Sequence, residues 1–499
     1  MKFKYIIILV LIVSLSSCTK DLNVIYNNNP DRELVLTNPD NIYGLTSSLF
    51  FNWYKAQYHA YTYSPVLAMW TMADQGTSSW LNGGMYDLSS EPREEFNNSE
   101  EYDWKLITET YYHRMYANLS QANDVLFALK NGLEIGELNT NGKGEDTELV
   151  RAFSSFIQGL TLGYLGLTFD KSFIITENTD DPSVVEASPY NVVIDSAVVS
   201  LDKCIEICNN NSFTIPDDWI NGSTYSNNEL ARLASSFAAR LMVYGSRNAT
   251  ENEQVDWTKV LNYANNGIQR DLAPYMDNVT WYNHFFHYSV ARDNWVRIDA
   301  RIINMLDPSY PYRYPDLNSE PAPGIATSND ARLLSDFSYD GVCNFKPERG
   351  YYHYSNYEYT RYPYSFSNPG NVIDFSIAEN ELIKAEALFH TLAKNEAIDF
   401  INAGTRVTRG SLTLLDYSIS DADFLKALFY ERDIELIMTG YGIAFFDMRR
   451  RDMLQEGTPL HFPIPAEQLN VLDLPIYTFG GAANADGINT SDGGWFPMK

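Results

Sequence analysis

The sequence predicts an all-α, mainly helical protein in which tetratricopeptide-like helical pairs are accompanied by an irregular, loop-rich lobe. Apolar residues recur with a helical period through most of the first 270 residues, and this period returns near residue 375. Between these regions the chain is rich in proline, tyrosine, asparagine and glycine and shows little periodicity. The helical segments come in pairs spaced by roughly 34 residues, the period of a tetratricopeptide repeat.

The clearest amphipathic helix follows Ser188-Pro189. Its apolar stripe steps by 4, 3, 4 and 3 residues through Ile194, Val198, Leu201, Ile205 and Cys208. We predict that this helix pairs with 149–169, that 230–244 pairs with a helix around 260–268, and that 379–392 pairs with 395–403. The segment 230–244 is rich in alanine and serine, which permits close approach of a neighbouring helix.

The N-terminus has the pattern of a lipoprotein export signal. Lys2 and Lys4 precede an apolar core from Tyr5 to Leu15, which is shorter than the roughly 20 residues of a membrane-spanning helix. The core ends in Leu15-Ser16-Ser17-Cys18, the pattern of a bacterial lipobox. We therefore expect residues 1–17 to be a signal peptide and Cys18 to carry the lipid, which anchors an otherwise non-spanning chain to a membrane. The alternative is an ordinary signal in which this cysteine is incidental.

The charge balance excludes some partners. A formal net charge of −28 argues against nucleic acid and against binding of anionic lipid through a basic face. It favours an acidic solvated surface over a site for cationic ligands. Cys204 and Cys208 are expected to pack on an apolar helix face, and with Cys343 they form no disulfide framework.

No catalytic, cofactor or metal motif is found in the sequence. His284 and His287 lack a third ligand, and no loop offers the oxygen ligands that calcium needs. The acidic residues of "ERDIELI", which begins at Glu431, lie next to arginines and predict ion pairs rather than a catalytic carboxylate pair. These are Glu431, Asp433 and Glu435, with Arg432 and the run Arg449, Arg450 and Arg451. The residues by themselves therefore indicate no catalytic, cofactor or metal site, and we expect no cofactor, while calcium binding stays open.

Aromatic residues are the strongest functional signal. "YYHYSNYEYTRYPY" (351–364) holds seven tyrosines, and "WYNHFFHYSVARDNW" (281–295) and "MWTMADQGTSSWLNGG" (69–84) carry further rings beside polar side chains. Sugars present apolar C–H faces that stack on such rings, and their hydroxyls bind polar groups, so this composition favours an oligosaccharide site. The alternative is that the rings simply fill an irregular lobe. We predict stacking by Trp80, Trp281 and Trp295 and polar contacts from Asp74, Asn82, Arg297 and Tyr312.

Several motifs together resemble the SusD/RagB family of outer-membrane nutrient-binding lipoproteins. They are the lipobox, "AEAL" from Ala385, Ile401-Asn402 with Arg406 and Arg409-Gly410, Glu431-Arg432 with Glu435-Leu436, "FFDMRRRDM" from Phe445 and "FPIPAEQLN" from Phe462. The resemblance extends through 149–166 to "DQGTSSW" near the N-terminus. Thr439 departs from it, because an acidic residue usually precedes the glycine of the E-G-x-R element.

The resemblance implies helical pairs packed against an irregular lobe in one domain, and a receptor rather than an enzyme. Such a protein is anchored to the outer membrane, faces the cell surface, binds an oligosaccharide and passes it to a SusC-like TonB-dependent transporter. A peptide-binding RagB-like member, a surface glycoside hydrolase and a purely structural transporter subunit are the alternatives. The expected ranges are 18–499 for the domain, about 38–272 and 373–455 for the helical body, about 273–372 for the lobe, and 456–499 for a C-terminal coil.

Overall fold

The computed structural model describes residues 35–59, 63–289, 296–314, 324–342 and 345–494. Helices account for most of its regular structure, so the prediction of a mainly helical fold is confirmed. In chain order they are α1 (Pro39–Ser47), α2 (Leu49–Tyr58), α3 (Val66–Met72), α4 (Leu106–Lys130), α5 (Thr147–Thr168), α6 (Tyr190–Asn210), α7 (Asn227–Tyr244), α8 (Ala249–Glu253), α9 (Trp257–Asn265), α10 (His284–Ser289), α11 (Ala300–Leu306), α12 (Arg332–Asp336), α13 (Ile377–His390), α14 (Lys394–Ala403), α15 (Thr405–Thr408), α16 (Asp421–Glu435), α17 (Ile443–Arg449) and α18 (Ala466–Val471).

The long helices pack as antiparallel neighbours along the chain. Helix α5 packs on α4 and α6, α7 packs on α6 and α9, and α13 packs on α9 and α14. Glycines of α5 allow α6 and α7 to approach it closely. A Cβ at Gly159 would lie 2.7 Å from Leu201 Cγ of α6, and a Cβ at Gly163 would lie 2.4 Å from Leu241 Cδ1 of α7. The three predicted helical pairs are therefore present, and glycines lie where α5 meets α6 and α7.

The non-helical segments form short antiparallel ribbons. Among the described residues these are β1 (Gly76–Thr77) with β7 (Arg297–Ile298), β2 (Lys171–Phe173) with β3 (Ala187–Pro189), β4 (Thr214–Ile215) with β5 (Tyr225–Ser226), β6 (Tyr275–Met276) with β10 (Gly370–Asn371), and β8 (Phe337–Tyr339) with β9 (Tyr357–Tyr359). The first of these ribbons pairs Gly76 with Ile298. It therefore holds the loop after α3 against the segment that leads into α11.

Buried ion pairs connect the helices of the C-terminal half. Glu386 of α13 is completely buried and accepts hydrogen bonds from Arg432 Nη2 and Arg450 Nη1, both at 2.6 Å. Asp447 of α17 lies 2.7 Å from Arg450 and 2.8 Å from Arg451. The arginine charges outweigh burial and hold the pKa of Asp447 well below its usual range. These side chains bind α13, α16 and α17 together.

The prediction that Glu431, Asp433 and Glu435 form ion pairs is confirmed, but of the arginines predicted as their partners only Arg451 contacts one of them in the described part of the chain. Glu431 pairs with Arg332 at 2.7 Å, and Glu435 pairs with Arg409 at 2.8 Å. Asp433 lies 3.3 Å from Arg301 and 3.4 Å from Arg451.

Arg449 has a different role from its two neighbours in the sequence. Its guanidinium is buried and donates to the carbonyls of Leu167, Leu460 and Tyr244 at 2.8 to 3.0 Å. Leu167 and Tyr244 lie in the last turns of α5 and α7, where carbonyls lack helical partners and the helix dipole favours a cation. Burial lowers the pKa of Arg449. This side chain therefore caps two helices of the body at once.

The structure bears on the N-terminal predictions only in part. No helix in the described part of the chain has the length and apolar character needed to cross a bilayer. The predicted signal peptide and Cys18 lie outside the described residues, and so does Cys343. Cys204 and Cys208 are buried on α6 with their Sγ atoms 3.9 Å apart, as their helical spacing predicts.

Candidate functional site: the cleft at Tyr312

A cleft of about 1020 Å³ lies between two parts of the fold that are far apart in sequence. One wall is formed by α11 and the loop that follows it, through Tyr312 and Thr327–Asp330. The other wall is formed by α16 and the segment from Arg406 to Ile419. Its volume is at the upper end of the range usual for small-molecule sites.

The cleft combines an apolar lining with a small number of polar groups. Its apolar side chains are Met305, Leu306, Leu412, Leu415, Ile419 and Met453. Tyr312 and Tyr430 are half-buried and add two aromatic rings, and Arg406, Lys426 and Asp423 also line the cleft. Such a lining accommodates a ligand with an apolar face and several hydrogen-bonding groups.

Hydrogen bonds hold the charged wall of the cleft in place. The Tyr430 hydroxyl donates to Asp330 Oδ2 at 2.8 Å, and Asp330 also accepts from Arg332 Nη2 at 2.7 Å. Burial raises the pKa of Tyr430, and the negative charge of Asp330 raises it further, so the phenol stays protonated. Burial also tends to raise the pKa of Asp330, but Arg332 outweighs burial and lowers it. The wall therefore presents the neutral phenol of Tyr430 to the cleft, and behind it the charges of Asp330 and Arg332 compensate each other.

The structure places only part of the predicted site at this cleft. Tyr312 lines it, whereas Trp80 and Asn82 lie half-buried on the loop after α3, and Asn82 begins a short 3₁₀ helix there. Trp295 lies outside the described residues.

The prediction that Trp281 stacks on a ligand is wrong. Its side chain is 6% exposed, and its ring centroid lies 4.8 Å from that of Phe51 and 5.7 Å from that of Tyr54. Both neighbours belong to α2. Trp281 therefore fills the interface between the helical body and the lobe. This agrees with the alternative interpretation, in which the aromatic rings serve packing rather than ligand binding.

The predictions for Arg297 and Asp74 as ligand contacts are also wrong. Arg297 is 2% exposed on β7 and pairs with Asp340 at 3.0 Å and with Glu358 at 3.1 Å. Asp74 is equally buried and accepts from Arg93 at 3.0 Å and from Gln455 Nε2 at 2.9 Å. Both charges are compensated inside the protein, because a buried unpaired charge is costly.

Asp74 belongs to a buried network centred on His353. Nε2 of His353 lies 2.5 Å from Glu91, and Nδ1 lies 3.3 Å from Asp299. Burial tends to lower the pKa of this imidazole, but the charges of Asp299 and Asp74 outweigh burial and raise it to about 10. The network joins the loop after α3, the start of α11 and the tyrosine-rich segment.

Asp74, Asp299 and His353 are also close enough to share a metal ion, since their ligand atoms lie within 4.8 Å of one another. However, Arg93 already pairs with Asp74, and Glu91 already pairs with His353. A divalent cation would displace these partners and lie beside a buried guanidinium. We therefore assign the group as an ion-pair network.

This network predicts a pH dependence of stability. The imidazole is protonated below about pH 10 in the folded chain but only below about pH 6.5 in the unfolded chain. The stabilisation that the protonated imidazole gives the folded chain is therefore complete below pH 6.5 and is lost as the pH rises through 10. We expect the free energy of unfolding, measured by urea denaturation, to fall between pH 7 and 10, and to fall less steeply in His353→Gln. His113→Gln, at an exposed histidine, is the control and should keep the wild-type slope. An unchanged slope in His353→Gln would contradict this assignment.

Most residues of the cleft were not predicted from the sequence. Leu412, Leu415 and Ile419 belong to no motif, and Met453 and Tyr430 lie in or beside segments that indicate ion pairs rather than a ligand site. Only Tyr312 carried a signal, because it lies in a tyrosine- and proline-rich segment of the predicted lobe.

Comparison with known proteins supports the fold. No protein-family model and no curated protein matches this chain. Among solved structures it is similar to a SusD superfamily protein from Bacteroides vulgatus (TM-score 0.60, 14% identity, covering 87% of this chain and 97% of that one). It is also similar to a SusD superfamily protein from Parabacteroides distasonis (TM-score 0.60, 14% identity, 87% and 98%). A protein from Bacteroides fragilis described as a SusD-like carbohydrate binding protein is similar too (TM-score 0.58, 13% identity, 83% and 86%). The chain therefore has the SusD-like fold.

Proposed function

We propose that this protein is a receptor that binds an oligosaccharide in the cleft at Tyr312 and catalyses no reaction. The observation that carries the proposal is the cleft itself, about 1020 Å³ lined by apolar side chains, two tyrosines and a few charged groups. The C–H face of a sugar ring packs on tyrosine and aliphatic side chains, and its hydroxyls bind the polar groups beside them. The likeness in fold to a carbohydrate-binding protein supports the same ligand class.

We also propose that the protein is anchored to the outer membrane and that its partner is a transporter. The lipobox at Cys18 supports attachment to the outer membrane, and the SusD-like fold supports a position on the cell surface beside a SusC-like TonB-dependent transporter. In this arrangement the protein captures the oligosaccharide and passes it to the transporter. Micromolar affinity, about −8 kcal/mol, is sufficient for a ligand that must then be released.

A peptide is the second candidate ligand. The aliphatic and thioether side chains of the cleft, such as Leu412, Leu415 and Met305, suit the apolar side chains of a peptide as well as a sugar face. The net charge of −28 favours basic peptides within this class. The aromatic surface of the cleft, formed by Tyr312 and Tyr430, favours a glycan as the first candidate.

The experiment is a calorimetric screen of the mature protein against neutral and acidic oligosaccharides and a peptide library. We expect a glycan to bind with a Kd near the micromolar range and to remain intact after prolonged incubation. If only peptides bind, the ligand is a peptide and the oligosaccharide proposal is wrong. Cleavage of a bound glycan would contradict the receptor proposal, as would the absence of any ligand in a protein that co-purifies with its transporter.

A further inference from the structure

A second surface, formed by the loop after α3 together with the lobe, carries three aromatic rings, each with a cation placed over it. Lys346 Nζ lies 4.4 Å from the ring centroid of Trp80. The guanidinium carbon of Arg349 lies 5.6 Å from the ring centroid of Tyr86. The guanidinium carbon of Arg313 lies 4.5 Å from the ring centroid of Tyr352. We call these three ring and cation pairs the aromatic ridge.

The aromatic ridge is a connected structure. The backbone N–H of Lys346 donates to Ser79 Oγ at 2.8 Å, and the Arg349 guanidinium donates to the Ser79 carbonyl. Burial raises the pKa of the Tyr86 phenol, and Tyr352 lies near enough to raise it further. Both the Trp80 loop and the segment 346–352 are therefore held in one arrangement.

One end of the ridge adjoins the cleft. Arg313 directly follows Tyr312, which lines the cleft. Arg313 is held in position by Glu91, which accepts from its Nε at 2.9 Å. A chain-like ligand held in the cleft would therefore have to extend past Arg313 to reach Tyr352, Tyr86 and Trp80.

The charge of the ridge contrasts with that of the protein. The chain carries a net charge of −28, but within the described residues neither Lys346 nor Arg349 has a carboxylate within 4.0 Å. Asp87 and Glu94 act on this region only from a longer distance, and the carboxylate of Asp87 already accepts from the Tyr102 hydroxyl at 3.1 Å. Among the residues that the structure describes, these two cations beside half-buried rings therefore have no direct ionic partner.

We infer that the aromatic ridge binds acidic units of the same glycan, so that the ligand carries carboxylate or sulfate groups. A sugar ring can stack against the partly exposed aromatic surface, and its anionic substituent accepts hydrogen bonds from the ammonium of Lys346 or the guanidinium of Arg349. Asn82, on the same loop as Trp80, offers an amide to a hydroxyl. This inference rests on the proposed function and specifies the substrate class.

The test compares oligosaccharides of equal length that differ in charge: oligogalacturonate, which carries only carboxylates, keratan sulfate fragments, which carry only sulfates, and neutral xylo-oligosaccharide. Affinities are measured for the wild-type chain and for a Lys346→Gln, Arg349→Gln double variant. Lys384→Gln is the matched control, because Lys384 lies 4.3 Å from the ring centroid of Phe400 on the helical body, away from the lobe.

We expect at least one acidic series to bind about 10-fold or more tightly than the neutral one, with an affinity that falls as salt is raised. The double variant should lose that preference, and Lys384→Gln should keep it. The uronate and sulfate arms then identify the acidic group. Equal binding of neutral and acidic chains, or an acidic preference that survives in the double variant, would overturn the inference and leave the cleft proposal standing. Failure of every glycan to bind the wild-type chain would overturn both.

Discussion

Replacement of Glu386 by glutamine is expected to lower the free energy of unfolding by about 3–5 kcal/mol, the range typical when one partner of a buried ion pair is removed. Glu386 is completely buried and receives both Arg432 and Arg450 at 2.6 Å. A neutral amide leaves these two buried guanidiniums to share Asp447, which Arg451 also contacts. Urea denaturation measures the change.

The matched control is Asp421→Asn, which also converts a carboxylate to an amide in an ion pair of 2.6 Å. The Asp421 side chain is 73% exposed, and its partner is Lys394. Exposed pairs contribute about 1 kcal/mol or less, so this variant should remain close to wild type. Similar losses in the two variants would contradict the view that burial gives the Glu386 network its importance.

Replacement of Ala427 by tryptophan is expected to reduce glycan affinity at least 100-fold, which corresponds to about 2.7 kcal/mol. Ala427 lines the cleft from α16, and its side chain is half-buried. An indole at this position projects into the space that the ligand needs. Because that space is open in the folded protein, the unfolding free energy should change little.

Ala422→Trp is the control for this experiment. Ala422 lies one and a half turns earlier on the same helix, is exposed and does not line the cleft. We expect the affinity of Ala422→Trp, measured by calorimetry, to equal that of wild type. Wild-type affinity in Ala427→Trp would show that the ligand binds elsewhere.

The helical body was predictable because its information is local. The apolar residues from Ile194 to Cys208 lie on one face of α6. Ser226 and Glu229 form the capping box that begins α7. Ion pairing of Glu431, Asp433 and Glu435 was likewise indicated by the arginines nearby in the sequence, although of these arginines only Arg451 contacts one of the three acids. Their partners Arg332 and Arg301 were not indicated, because these contacts join residues 99 and 132 positions apart.

The site was less predictable, for a physical reason. In irregular backbone no period separates inward from outward side chains, so Trp281 and Trp80 look alike in sequence although one is buried and the other half-buried. The same applies to Asp74, whose partner Gln455 lies 381 residues away. The walls of the cleft come from segments about 100 residues apart, and leucine and methionine carry no chemical signature of binding.

The motifs behind the family resemblance explain why fold was easier to infer than ligand. Glu386 of "AEAL" and Asp447, Arg449 and Arg450 of "FFDMRRRDM" all belong to buried ion pairs or helix caps. Residues with these roles determine how helices pack. Because these side chains are buried, they report how the helices of the SusD-like fold pack and carry no information about the ligand.

The most direct test of the account is a crystal structure of the mature protein with the tightest-binding oligosaccharide from the calorimetric screen. The account predicts sugar density between α11 and α16, with one ring against Tyr312. Sugar bound only at another surface, with the cleft filled by water, would contradict it.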